Sequence, residues 1–474
     1  MKRILLAFCL ILVALNGFSQ QFSQYNTGTL YDSFENPSQR SFIPDSSKKY
    51  AFNFFVPSFN ASLFLTGDAQ STLVNRAFGG KYNNSALQIG AGRYNNAGID
   101  ASAYSMMFKM FTSLNGDAET GFYAETKAEG KGTFTDESIA LLNGPVAFPN
   151  NTYDNLFNNR YYYQIYNSIG LTYRERLSKE VAIGFKIGVL MGIDYNKLNI
   201  YESHINFDQA NDAAAISLRG KYYSSQGPGS FNTQDFLPTF RSPGATISTG
   251  ISYRTEDGIT FQGNVKDLGF IHWYNKSSIY MFDATKTATN ISTNKKEKNI
   301  FGTVHQIIQT NQIHTSYVSP TDGKFELSAT KTYWLDDDKD FKYLPTLIGS
   351  KELFYNGYTG AFVNRFQYKN YNVSLTASYD NLNLFNLGTQ FMYKSSNAEF
   401  FIGSERLLQT AGFALAAGNS SSYSNGSFTG ADIFLGFSLK FGPLIEHPLN
   451  ASTIPNGERG FLGRLYNRLF KTNW

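Results

Sequence analysis

The chain has 474 residues, 42% hydrophobic and 16% charged, and its 42 Phe, 31 Tyr and 3 Trp nearly equal its 41 Lys/Arg and 37 Asp/Glu together. Soluble domains average roughly 25% charged residues, membrane helices need about 20 consecutive apolar residues each, and disordered chains lack aromatics. A mean hydropathy of −0.30 with so many rings argues against a helical bundle and against disorder, and a net charge of only +4 gives no footing for a nucleic-acid partner.

Residues 1–19 read as a cleaved signal peptide. Lys2 and Arg3 lead an apolar run over 4–15, too short to span a bilayer, and Gly17 and Ser19 put small residues before a cleavage site at Gln20. Cys9 is the one cysteine and lies in that run, so the mature chain is expected to have no disulfide, thiol nucleophile or thiolate-held metal. Residues 20–49 are polar and carry an Asn36-Pro37 turn signal. They fit a plug folded into a wide barrel or a loose periplasmic tail.

From residue 50 the pattern has period two. Val181, Ile183, Phe185, Ile187, Val189, Met191 and Ile193 alternate mostly with small or polar residues, and 247–253, 371–379 and 433–441 repeat the pattern. The second face is Gly, Ser, Thr and Asn rather than charge, as suits a crowded lumen. Strands are expected at 50–65, 98–111, 118–130, 160–174, 181–194, 245–255, 258–272, 324–334, 341–350, 358–368, 371–380, 386–394, 399–406 and 430–441. The first is the weakest, because 86–93 could replace it. Alternate connections are short (112–119, 175–180, 256–257, 335–340, 369–370, 395–398). Those between are mostly long (131–159, 195–244, 273–323, 407–429). Short periplasmic turns alternating with long external loops describe an outer-membrane barrel. The expected fold is thus all-β: a transmembrane antiparallel barrel of about 14 strands over 50–442, its lipid-facing side in contact with outer-membrane lipid.

The tail, 443–474, changes character. Pro443, Pro448 and Pro455 break strands, and then Phe461, Leu462, Leu465 and Leu469 recur at helical spacing with Arg464, Arg468 and Lys471 between them. A short basic amphipathic helix is expected, with Phe461, Arg464, Leu465, Arg468, Leu469 and Lys471 as candidate contacts to a membrane or partner. It could equally fold back over the barrel mouth.

The sequence resembles an uncharacterised family of Gram-negative outer-membrane barrels related to the FadL/PorV (long-chain fatty-acid transporter-like) superfamily. The residues that carry the resemblance are Glu35-Asn36-Pro37-Ser38, Asp267-Leu268-Gly269-Phe270-Ile271-His272-Trp273 and the closing run 434–442. It implies fourteen strands and an N-terminal plug with an Asn-Pro-Ala turn. Ser38 stands where Ala would, so Asn36 and Pro37 alone are carried over as lumen-plug residues. Some members of the superfamily pass hydrophobic compounds, and others are carriers or subunits of secretion machinery.

Candidate chemistry is sparse. Asp336, Asp338 and Asp340 have calcium-loop spacing but are followed by Phe341 rather than Gly, and Leu347 stands at the twelfth position. They read as a solvated turn. His204, His272, His305, His314 and His447 lack metal-ligand spacing; His272, beside Trp273, reads as a rim residue. His314 and Ser316 could share a strand face as a hydrolase pair, but no orienting Asn or acid accompanies them. The expectation is therefore a non-enzymatic outer-membrane channel or transporter for small hydrophobic compounds, without metal, cofactor or catalytic residue. The alternatives are a subunit or scaffold of a larger membrane complex and an outer-membrane lipid hydrolase. Girdle positions account for most aromatics; whether any face inward stays open.

Overall fold

The structure, a computed structural model, describes residues 21–446 apart from 55, 114–116, 227–238, 356 and 419–428, together with 462 and 468. The expected signal peptide therefore lies outside the described residues.

The strands, in chain order, begin with β1 (Lys48–Phe52), β2 (Ser58–Leu65), β3 (Tyr94–Ser113), β4 (Ala118–Thr135), β5 (Thr152–Asp154), β6 (Arg160–Arg176) and β7 (Val181–Asp208). Next come β8 (Ala213–Ser224), β9 (Pro243–Arg254), β10 (Ile259–Trp273), β11 (Ser278–Thr289), β12 (Gln312–His314), β13 (Tyr317–Pro320) and β14 (Lys324–Lys331). The last are β15 (Tyr333–Trp334), β16 (Phe341–Glu352), β17 (Tyr358–Tyr368), β18 (Tyr371–Asp380), β19 (Phe385–Lys394), β20 (Ala398–Ser404) and β21 (Thr429–Leu444). Fourteen antiparallel segments form a closed barrel. β1 with β2 counts as one segment, β13 with β14 as another, and β5, β8, β11, β12 and β15 are additional. Closure runs through Ala51↔Lys440 and Ala61↔Ile433.

Side-chain alternation explains the wall. Along β7, Ala182, Gly184 and Lys186 turn inward and are buried, while Ile187 and Val189 are 45% and 48% exposed on the outside. On β18 the exposed face is Tyr371, Val373, Leu375 and Tyr379, and the buried face is Asn372, Ser374, Thr376 and Ser378. An apolar band bounded by tyrosines is the exterior of an outer-membrane barrel. No described helix is long and apolar enough to cross a membrane.

Every expected wall strand is present, and 86–93 is a loop. Two features differ from the expectation. The first segment breaks at 53–57, where the Asn53 side chain bonds Tyr104 O (3.0 Å) and Met107 N (2.5 Å) in place of a ladder. The connections expected as loops at 195–244 and 273–323 contain a sheet, because β7 runs 28 residues and carries β5, β8, β11 and β12 beyond the wall. Residues 190–196 of β7 are buried on both faces, so alternation vanishes where the strand leaves the wall. This sheet, with α3 (Asp136–Leu141) and α4 (Lys296–Ile308), encloses an apolar cluster including Phe134, Phe148, Ile205, Leu218, Phe282 and Ile307. That cluster caps the long-loop end. Three other α-helices are described. α1 (Leu30–Glu35) lies inside the barrel, and α2 (Gln70–Gly79) sits in the β2–β3 connection. A fifth, α5 (Leu407–Gly418), packs on β21 and β19.

Candidate functional site: the plugged lumen

Residues 21–47 occupy the lumen and are mostly buried. α1 starts where Thr29 Oγ1 accepts from Asp32 N (3.2 Å). The Asp32 carboxylate folds back to accept from Thr27 N (2.9 Å) and Gly28 N (3.0 Å). Burial pushes its carboxyl up to about 6, against those two donors.

The wall holds this segment by its backbone. Glu405 accepts from Ser23 N and Oγ (2.8 and 2.7 Å), Glu399 from Leu30 N (2.8 Å), and Glu119 from Ser41 N (3.1 Å). Lys394 donates to Thr27 O and Gly28 O (2.8 and 2.6 Å), Arg174 to Ser38 O (2.9 Å), Arg365 to Asn26 O (2.8 Å) and Lys440 to Ser41 O (2.8 Å). Several of these charges are also paired within the wall: Lys109–Glu119 at 3.2 Å and Lys440–Glu399 at 2.6 Å. Ionised partners make the stronger class of hydrogen bond.

Asn36 and Pro37 follow α1. Asn36 Oδ1 accepts from Ser38 N (3.1 Å) and Ser38 Oγ (2.8 Å), and its Nδ2 donates to Gln262 Oε1 (3.2 Å). The turn rests on Gly184 and Gly250, which pair directly across β7 and β9. A Cβ at Gly184 would lie 2.0 Å from Pro37 O, and one at Gly250 would lie 2.6 Å from Asn36 Oδ1. A side chain at Gly184 would meet backbone, so glycine lets the turn reach the wall there, whereas one at Gly250 meets first the end of the Asn36 side chain, which can shift.

Above the turn lies a charge lattice. Glu35 pairs with Lys266, accepts a 2.7 Å hydrogen bond from the Tyr104 hydroxyl, and has its backbone O bonded by Asn264 Nδ2 at 3.1 Å. Burial alone would raise the Glu35 carboxyl, yet the ammonium groups of Lys266, Lys186 and Lys127 hold it well below the usual range. Asp267 pairs with Lys127 and with Lys186 (3.3 Å). Its position comes from a bulge between Val265 and Leu268, with φ 50° at Asp267 and its N–H donated to Ser248 Oγ (2.8 Å). The bulge turns both Lys266 and Asp267 into the lumen. Gly269 then passes close to the neighbouring strand, where a Cβ would meet Ala245 O at 2.5 Å.

Aromatics also face inward. Tyr31 lies 5.7 Å from Tyr104 and 5.4 Å from Phe401, and Phe34 lies 6.1 Å from Tyr104 and 6.0 Å from Tyr123, centroid to centroid. Met107, Met392 and Phe434 complete this box around α1. Its rings stand in edge-on or tilted contacts, the favoured geometries. Around α1 the described residues leave little empty space. Two cavities of about 30 Å3 flank Glu35, each at most a site for water. A vestibule of about 1120 Å3 opens at the short-turn end.

The remaining candidate residues stand apart from this site. Leu462 and Arg468 are helical, and Leu462 N donates to Glu175 Oε2 (2.9 Å) at the vestibule end. Phe461, Arg464, Leu465, Leu469 and Lys471 lie outside the described residues. His272 is exposed on the face of β10 opposite buried Trp273. Asp336 accepts from Asp340 N (3.1 Å) and Phe341 N (2.9 Å), closing a turn. His314 Nδ1 meets Ser278 Oγ at 3.2 Å rather than Ser316, and Gln312 is the other side chain on that hydroxyl. Among the described residues no His, Cys, Asp and Glu gather as a metal site. Sequence reasoning missed Tyr104, Tyr123, Lys127, Lys186 and Lys266. The available signal was the run of ionisable residues at inward positions of the wall strands, as at Lys109, Glu119, Lys127 and Lys186.

The chain belongs to a family of unknown function (DUF5723), whose model matches residues 44–405. No curated protein matches it. Solved structures similar to it include the Ralstonia pickettii toluene transporter TbuX (7% identity, TM-score 0.41, 86% of this chain and 93% of that chain). The Pseudomonas putida toluene transporter TodX (8%, 0.41, 90% and 96%) and a Pseudomonas aeruginosa FadL homologue (10%, 0.38, 86% and 93%) are similar in the same degree. Identities this low carry no substrate across.

Proposed function

We propose that this family member is an outer-membrane transporter for small hydrophobic compounds, closed by its own N-terminal segment. The observation that carries the reading is the aromatic box. Tyr31 and Phe34 of the plug fill a site walled by Tyr104, Met107, Tyr123, Met392, Phe401 and Phe434 from the barrel. A small apolar ligand needs such a lining with a few fixed polar groups, and here the plug occupies it. In this reading the plug occupies the ligand's place, so passage requires the segment to move.

The test is ligand binding by purified protein carrying Tyr31→Ala and Phe34→Ala, which vacate the box. Toluene, followed by tyrosine fluorescence, is expected to bind at least about tenfold tighter than to the unsubstituted protein, a difference of about 1.4 kcal/mol. A folded double variant that binds no apolar probe overturns the reading.

One observation favours a second reading, a subunit of a membrane assembly: the sheet of β5, β7, β8, β11 and β12 projects beyond the wall on its own apolar core. Purification from native membranes decides it. A stoichiometric partner supports it, and a free monomer removes it.

A further inference from the structure

The vestibule at the turn end is lined by nine basic and five acidic side chains. Four arginines gather on one side: Arg40 from the plug, Arg174 and Arg176 from β6, and Arg254 from the end of β9. Arg40 lies in the electrostatic field of Arg254 and Arg176 as well as of Asp117 and Glu119. Arg174 is committed to Ser38 O and Asp117 O, both at 2.9 Å, and Arg176 pairs with Asp117 Oδ2 at 3.0 Å. The guanidinium groups of Arg40 and Arg254 have no hydrogen bond or ion pair among the described residues. Of the other acids, Glu180 is bonded by Ser178 Oγ at 2.9 Å, and Glu256 and Asp257 stand on the turn after β9.

Like charges converging on a concave surface repel one another unless an anion joins them. The lining as a whole has an excess of four positive charges, which suits a phosphate of about −1.5 to −2 better than a carboxylate. Guanidinium forks also match pairs of phosphate oxygens. We propose that the vestibule binds a phosphate-bearing ligand through Arg40, Arg176 and Arg254. One of these arginines belongs to the plug, so an occupied site ties the plug to the wall. This site stands whether or not the aromatic box takes a ligand.

Calorimetric titration of the full chain in detergent with inorganic pyrophosphate tests it. Saturable binding is expected, weakened about tenfold or more by Arg40→Gln with Arg254→Gln, as loss of charge-assisted bonds predicts. Heat-modifiable migration shows that the variant barrel is folded. Absence of saturable binding by the unsubstituted protein, or equal binding by the folded variant, overturns the proposal. Repeating the titration in nanodiscs with and without phosphatidylglycerol separates the sources. Competition by the lipid assigns the site to a headgroup, and undiminished binding assigns it to a soluble phosphate compound.

Discussion

The barrel is closed twice, by opposite chemistry. At the long-loop end Phe134, Phe148, Ile205, Leu218, Phe282 and Ile307 make an apolar cap. In the lumen, charged side chains such as Glu119, Glu399, Lys394 and Lys440 hold the backbone of residues 23–41. Burying apolar surface is non-directional and unopposed by hydration, so the cap is a core in all but position. A charge-assisted seal trades protein hydrogen bonds for water ones at a net gain of roughly 1.5–3 kcal/mol each. The proposed transport therefore asks the plug, rather than the cap, to be the part that exchanges.

The largest effects should come from breaking each closure at its centre. Phe282→Ala should cost about 3–5 kcal/mol, as for other buried aromatics. It should lower the thermal midpoint without exposing residues 21–47 to protease. Glu119→Gln leaves Lys109 and Arg174 buried without their carboxylate, a loss of about 3–5 kcal/mol. This variant should release the plug, read as protease cleavage within 21–47 while the barrel still migrates as folded. If both variants open the same end, the distinction is wrong. A smaller change is Gly184→Ala, whose Cβ meets Pro37 O at 2.0 Å. Overpacking of this kind costs about 1–3 kcal/mol, and accessibility at Asn36 and Pro37 should rise with no change in the cap. The smallest effect is on pH. Asp32 is raised to about 6 from an ordinary 3.8, so its seat favours the protonated form. That stabilisation is complete below the ordinary value and is lost as pH rises through 6. Protease protection of the plug should therefore improve on going from pH 8 to pH 5, and Asp32→Asn should flatten the profile.

Much of this was legible in the sequence. Each wall strand announced itself because one face met lipid and the other a crowded lumen, as on β18. The entry to the outer sheet was not legible, because Leu190 to Asn196 are buried on both faces and period two is interrupted there before it resumes over 203–208. The plug was legible only as Asn36-Pro37. The wall grips much of its backbone, and its apolar anchors such as Tyr31 and Phe34 are too few to set a periodicity, so the segment reads alike inside a barrel or outside it. The inward aromatics were hidden for a different reason. Tyr104 and Tyr123 sit in the same alternating strands as rings facing lipid, and only a bound partner, here Tyr31 and Phe34, distinguishes them.

The most direct test of the exchangeable plug is to lock it. A Cβ at Gly250 would lie 3.2 Å from Ser38 Cβ, near the roughly 3.5–4.5 Å span of a disulfide. Apart from Cys9 the chain has no cysteine to compete. Cells producing the Ser38→Cys and Gly250→Cys pair should lose uptake of toluene when oxidised and regain it on reduction. Uptake that is equal in the oxidised and reduced states, with the crosslink verified by mass spectrometry, would contradict the account.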